Sequence, residues 1–260
     1  MFRNVISRVK VNQIGSIRSI HTPAKLARES NYSQNGLEGL YSKNGFNTAW
    51  TDYQRFLVSK LTDLTVDTPL QSRSPFDILR FTAADRDQAA TFNFASQAFN
   101  NHFFFEALAE KSVAQNTAPT DYLRSRLEDK FESMERAREN FLATADEMTG
   151  NGWVFLYEGG DKNMYISAHH NAGSPFSFQR FQHQEFNFPA SEEVKRDQQN
   201  IEAAVRKGLK ESVLPLLAVN VWQQAYVDDY GVNGKYNYLE NYWECINWDV
   251  VNARLFVGAQ

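Results

Sequence analysis

Thr149-Gly150-Asn151-Gly152-Trp153-Val154-Phe155-Leu156-Tyr157 is the stretch where the chain changes period. The first four residues are helix breakers and turn formers, and the five that follow are apolar, β-branched or aromatic. Residues 153–157 and 164–168 therefore predict two strands flanking Glu158-Gly-Gly-Asp-Lys-Asn163, which makes a hairpin. Asn171-Ala-Gly-Ser-Pro175 ends the second strand. Further on, residues 214–222 form an apolar run that reads as a buried strand, and the aromatic segments 223–230 and 236–255 read as helices.

Upstream of the switch the periodicity is helical throughout. Over residues 48–61, Trp50, Tyr53, Leu57 and Leu61 fall on one face. A loop rich in Pro, Ser and Thr follows over 65–75. A second helix is expected over 89–110, with Phe92, Ala95, Phe99 and His102 on one side and Phe103 to Phe105 making it broadly apolar. The two suggest an α-hairpin. A third helix is expected over 121–148, where Leu123, Leu127, Phe131 and Met134 mark the buried stripe and Glu and Arg cover the other face. Helices first, then a small antiparallel sheet with helices around it, is an α+β plan.

At 260 residues, 42% of them hydrophobic, the chain can bury a sizeable core. No uncharged apolar run reaches the ~18 residues that span a bilayer, so no membrane partner is expected. The single cysteine, Cys245, excludes an intrachain disulfide, and its place between Trp243 and Ile246 suggests core packing. There is no phosphate loop, no Gly-x-Ser-x-Gly elbow and no His-Glu-x-x-His helix.

Charge is distributed unevenly. Residues 1–28 hold Arg3, Arg8, Lys10, Arg18, Lys25 and Arg28 with no Asp or Glu, interleaved with serines and apolar residues, the composition of a mitochondrial presequence. A basic nucleic-acid-binding arm is the alternative. Cleavage is expected between about Arg18 and Glu29. Removing those six cations leaves 21 basic against 31 acidic residues, a charge near −10. Phosphate-dominated binding is disfavoured over such a surface, so any nucleic-acid contact should be local and protein partners dominate.

Five segments in order resemble the iron/manganese superoxide dismutase family across most of residues 36–258. They are Phe131-Glu-Ser-Met-Glu-Arg-Ala-Arg-Glu-Asn-Phe141, Gly150-Asn-Gly-Trp-Val-Phe-Leu156, Asn171-Ala-Gly-Ser-Pro175, Asn220-Val-Trp-Gln-Gln-Ala-Tyr226 and Ile246-Asn-Trp248. The resemblance implies an N-terminal α-hairpin packed on a C-terminal α/β domain with a three-stranded antiparallel sheet. With the presequence at 1–28, the corresponding boundaries are 29–115 and 116–260, with a polar insertion at about 177–210.

A dismutase metal is held by three imidazoles and one carboxylate. The resemblance places those ligands at Ala49, His102, Asn220 and Gln224, so one of four survives. It also places the gate tyrosine at Leu57, the solvent-binding glutamine at Ala98 or Ala172, and the dimer-crossing glutamate at Gln223. No metal, cofactor or catalytic residue is therefore expected. On its own pattern, His102 on an apolar helix face reads as a buried histidine satisfied by one hydrogen bond. His169 and His170 alternate faces at a strand end and cannot chelate one ion.

A dismutase scaffold without its ligands, behind a presequence, looks like the dismutase-like proteins of the fungal mitochondrial small ribosomal subunit. Gly45-Phe-Asn-Thr-Ala-Trp-Thr-Asp-Tyr-Gln-Arg-Phe56 and Ala225-Tyr-Val-Asp-Asp-Tyr-Gly231 carry that closer similarity. The resemblance implies an architectural, non-enzymatic role in the matrix and pairing with a second dismutase-like chain. Gln223, Gln224 and Tyr226 are the interface candidates, and other small-subunit proteins are the neighbours. The insertion, with Arg180, Lys195, Arg196, Arg206, Lys207 and Lys210, is either a docking element or a solvated surface. Two alternatives stay open: an oxidoreductase with non-standard ligands around His102, and a free matrix scaffold.

Overall fold

The computed structural model describes residues 21–176 and 213–257. The basic stretch up to Ile20 and the whole insertion lie outside those residues. The helices are α1 Glu29–Asn35, α2 Lys43–Phe46, α3 Tyr53–Thr65, α4 Pro75–Thr82, α5 Ala89–Glu106, α6 Lys111–Ala114, α7 Asp121–Phe131 and α8 Met134–Glu147. Strands β1 Gly152–Glu158, β2 Met164–His170 and β3 Leu214–Asn220 follow, then a 3₁₀ turn Gln223–Ala225 and helices α9 Val227–Tyr230, α10 Lys235–Glu244 and α11 Trp248–Val257. This is the expected α+β order.

The sheet runs β2-β1-β3, with β1 central and antiparallel to both neighbours. Gly152 opens it because a Cβ there would stand 2.3 Å from the His169 carbonyl oxygen. Pro215 pairs with Tyr157 at a register shift on the edge strand, where a missing N–H is tolerated. Helix α5 is apolar nearly all round because it lies between α3, α4 and β3. One core runs from Tyr32 to Leu255 and joins the first helices to the sheet, and a second, around Leu61, Ile78, Leu79 and Phe92, fills the far end of the helix pair.

Helix α11 is fastened to both sides of that core by Arg254. Its buried guanidinium donates to the Leu216 and Phe103 carbonyls at 2.9 and 2.7 Å, pairs with Glu106 at 2.9 Å, and stands 3.5 Å from the Phe103 ring centre. A largely buried cation bonded in this way ties a terminal helix to a strand and a second helix at once.

Three elements differ from the sequence reading. The expected single helix over 121–148 is two: Glu132 adopts φ 72°, and Ser133 caps α8 by accepting from the Arg136 N–H at 3.1 Å. Helix α4 occupies what read as connection. Its signature was present, with Ser74 as cap, Pro75 at the first turn and Asp77 bonded back to Ser74. The first hairpin helix begins earlier than expected, at Lys43, and passes through a π-helical segment, Asn47–Asp52, before α3.

On β2 the two histidines do alternate. His170 is exposed, whereas the His169 ring lies edge-on to Phe155 and within 2.7 Å of the Ser167 hydroxyl. Burial, with His170 adding a smaller push, holds His169 down to about 4. The unfolded chain therefore binds a proton that the folded chain refuses between the two values. We expect full stability above about pH 6.5 and a loss of up to about 3 kcal/mol as pH falls towards 4. Urea denaturation across that range measures it, and His169→Leu should flatten the profile.

Candidate functional site

The positions that the sequence singles out meet where α3, the π-helical segment, α5 and the end of β3 converge. Ala49 and Asn220 are fully buried there. Between them stands Asn101, a residue the sequence reading passed over. Its amide nitrogen donates to the Ala49 carbonyl at 3.3 Å and to Gln54 Oε1 at 3.0 Å, and its oxygen accepts from Asn220 Nδ2 at 3.4 Å. Gln54 Nε2 in turn donates to the Ala98 carbonyl at 2.9 Å. Asn220 Oδ1 accepts the Trp222 N–H at 2.9 Å, and its backbone oxygen accepts from the Tyr238 hydroxyl at 3.0 Å. The result is a closed set of neutral amides with both ends of each carboxamide used.

His102, the next residue on α5, is half-buried. Among the described residues its ring contacts Trp50, with centroids 6.1 Å apart, rather than making the single hydrogen bond expected of it. Burial lowers its pKa, Glu106 opposes that, and Arg254 adds to it, so the imidazole is held towards its neutral form. Gln224 is half-buried beside Tyr53, whose pKa is raised by burial.

Of the supporting positions named from the resemblance, Leu57, Ala98 and Ala172 are apolar. Leu57 and Ala98 pack together with Val58 in one small cluster. Ala172 is buried, and its carbonyl accepts from the Ser96 hydroxyl at 2.6 Å. Gln223 is exposed. Tyr226, also an interface candidate, is 7% exposed and stacks on Tyr238 at 5.5 Å, so it supports that face from beneath. Cys245 is fully buried, its thiol pushed up to about 12 mainly by that burial.

This donor set does not fit a redox metal. Ala49 offers a methyl group, both amide atoms of Asn220 are already engaged, and His102 is the one imidazole among the four positions. Among the described residues no group of three or more His, Cys, Asp or Glu is placed to hold an ion, and no helix is long and apolar enough to cross a membrane.

Gln54 was legible in principle. Gln54 falls in register with the buried face of Trp50, Leu57, Val58 and Leu61, and a carboxamide on a buried stripe must find a partner. Asn101 differs from His102 in being wholly enclosed, which periodicity could not reveal on a helix apolar all round.

Comparison with known proteins agrees with this geometry. Residues 119–184 and 192–254 match the family model of the iron/manganese superoxide dismutase C-terminal domain. The chain is 30% identical to small ribosomal subunit protein mS43 of Schizosaccharomyces pombe, over 86% of this chain and 82% of that protein. It is also 30% identical to small ribosomal subunit protein mS42 of the same organism, over 79% and 83%. Similarity to the iron superoxide dismutase of Salmonella typhimurium is 25% identity over 86% and 94%. The chain thus belongs to the superoxide dismutase-like family that includes the small ribosomal subunit proteins mS43 and mS42.

Proposed function

We propose that this chain is a structural constituent of the mitochondrial small ribosomal subunit, located in the matrix, that supports translation without catalysing a reaction. The observation that carries the reading is the amide set of Asn101, Asn220 and Gln54, which fills with neutral, mutually satisfied groups the place where a dismutase concentrates its metal chemistry. A body so built has a core to offer and a surface to present. It has no group poised for electron transfer among the described residues.

Partnership with a second dismutase-like chain is the finer part of the proposal. Exposed Gln223 and half-buried Gln224 lie beside the π-helical segment, and Gln224 Nε2 is buried without an acceptor among the described residues. Such a donor suits a carbonyl on an apposed chain. Uncharged glutamines at this edge also let two non-identical chains meet without burying an unpaired carboxylate. The excess of acidic over basic residues favours protein neighbours, with rRNA touched locally.

Sucrose-gradient sedimentation of mitochondrial lysate tests the assignment: the chain should travel with the small subunit, and its absence from those fractions removes the ribosomal reading. Purified protein should hold sub-stoichiometric iron and manganese, and a full equivalent of either would restore the enzymatic alternative. Gln223→Arg is expected to release the second dismutase-like chain while leaving the melting temperature unchanged. Asn101→Ala leaves Gln54 and Asn220 short of a partner and should cost about 1–3 kcal/mol in chemical denaturation. No measurable loss would show that the amide set is incidental to the fold.

A further inference from the structure

His21 is almost entirely buried, although it falls inside a segment whose composition reads as a presequence. Its backbone N–H donates to Thr62 Oγ1 at 3.1 Å, and its Nε2 lies 2.8 Å from Thr65 Oγ1. Both threonines are buried on the last turns of α3, and each has already spent its hydroxyl proton. Thr62 donates to the Val58 carbonyl at 2.9 Å and Thr65 to the Leu61 carbonyl at 2.7 Å. A hydroxyl has one proton, so each can only accept from His21. The imidazole must therefore carry its proton on Nε2, and residue 21 is clipped to α3 by two donors of matched polarity.

The segment after His21 is fastened as well. Leu26 packs against the main core, the Arg28 carbonyl accepts the Asn31 and Tyr32 N–H groups of α1, and the Arg28 guanidinium meets Glu110 at 2.7 Å. Lys25 and Arg28, two of the six cations counted with the presequence, thus belong to the folded body. What remains upstream is a stretch with Arg3, Arg8, Lys10 and Arg18, three serines and no carboxylate, which keeps the full import character in a shorter span.

We infer that the presequence is cut between Arg18 and His21, so that the mature chain begins at Ser19, Ile20 or His21 and its new N-terminus is held on α3 by the His21 clasp. The inference rests on reading the first residues as an import signal. It moves the boundary from about residue 28 to the N-terminal side of His21. Hydrolysis there consumes one water and leaves a free α-amino group. Even a cut directly before His21 preserves an N–H donor for Thr62.

N-terminal sequencing and intact mass of the protein isolated from mitochondria test this directly. A first residue at 19, 20 or 21 is expected. A first residue at Thr22 or beyond overturns the clasp, one upstream of Ser19 overturns the position of the cut, and retention of Met1 overturns the presequence reading itself. In parallel, chains beginning at Ile20 and at Pro23 should differ in melting temperature by about 3–8 °C, with His21→Ala in the longer chain recovering much of that difference. Equal melting of all three would also overturn the proposal.

Discussion

The carboxamide of Asn101 joins the π-helical segment, α3 and β3 to α5 through three hydrogen bonds, and the enclosed centre of the molecule is organised around it. Four elements that approach from different directions need a common polar hub, because the backbone carbonyl of Ala49 and the carboxamides of Gln54 and Asn220 are all buried and would be costly if unpaired. In a dismutase a metal ion can fill that organising role. Here a neutral side chain does so with directional bonds that need no bound ion.

Around this hub the body is held by packing that does not depend on the site. Arg254 fastens the last helix to β3 and α5, while Trp153, Phe104, Phe141 and Tyr242 form a chain of ring contacts from the sheet to α8 and α10. Tyr242 and Tyr238 each send a hydroxyl to a β3 carbonyl, so the polar tips of these two buried phenols are satisfied. Trp153, Tyr226 and Trp248, which fall in the segments that carry the family resemblance, are buried, and the Trp222 indole donates to the Asn171 carbonyl at 3.3 Å across the turn that ends β2. Scaffold and centre are therefore separable, which is what allows the second to change while the first persists.

That separation also explains what was legible beforehand. Strands and their hairpin followed from the break at Thr149 to Gly152 and the apolar runs on either side, because a three-stranded sheet covered by helices leaves short, strongly apolar segments. The division at Glu132 was hidden: a left-handed residue that is not glycine leaves no compositional mark, and the apolar stripe continues through Phe131 and Met134 across the break. Helix α4 was lost for the opposite reason, since its cap residues made it resemble a turn. At the centre, the identities of Ala49, Asn220 and Gln224 underlay the expectation that no metal is held. The identity of the replacing group depended on the depth of Asn101, a property of three-dimensional enclosure that no single helix period encodes.

The neutrality of position 220 follows from the same physics. Its side chain is wholly enclosed, with Nδ2 facing Asn101 and Oδ1 facing the Trp222 N–H. A carboxylate there is stable only opposite a cation, because an unpaired buried charge costs several kcal/mol after every relaxation open to it. With a methyl group at Ala49 and neutral amides at Gln54 and Asn101, no such cation is present in the side chains that surround it. An asparagine has the carboxylate's shape, accepts the same Trp222 bond, and adds a donor that Asn101 can receive. A neutral side chain at position 220 thus suits its neutral neighbours, and His102, held towards its neutral form, packs on the Trp50 indole beside them.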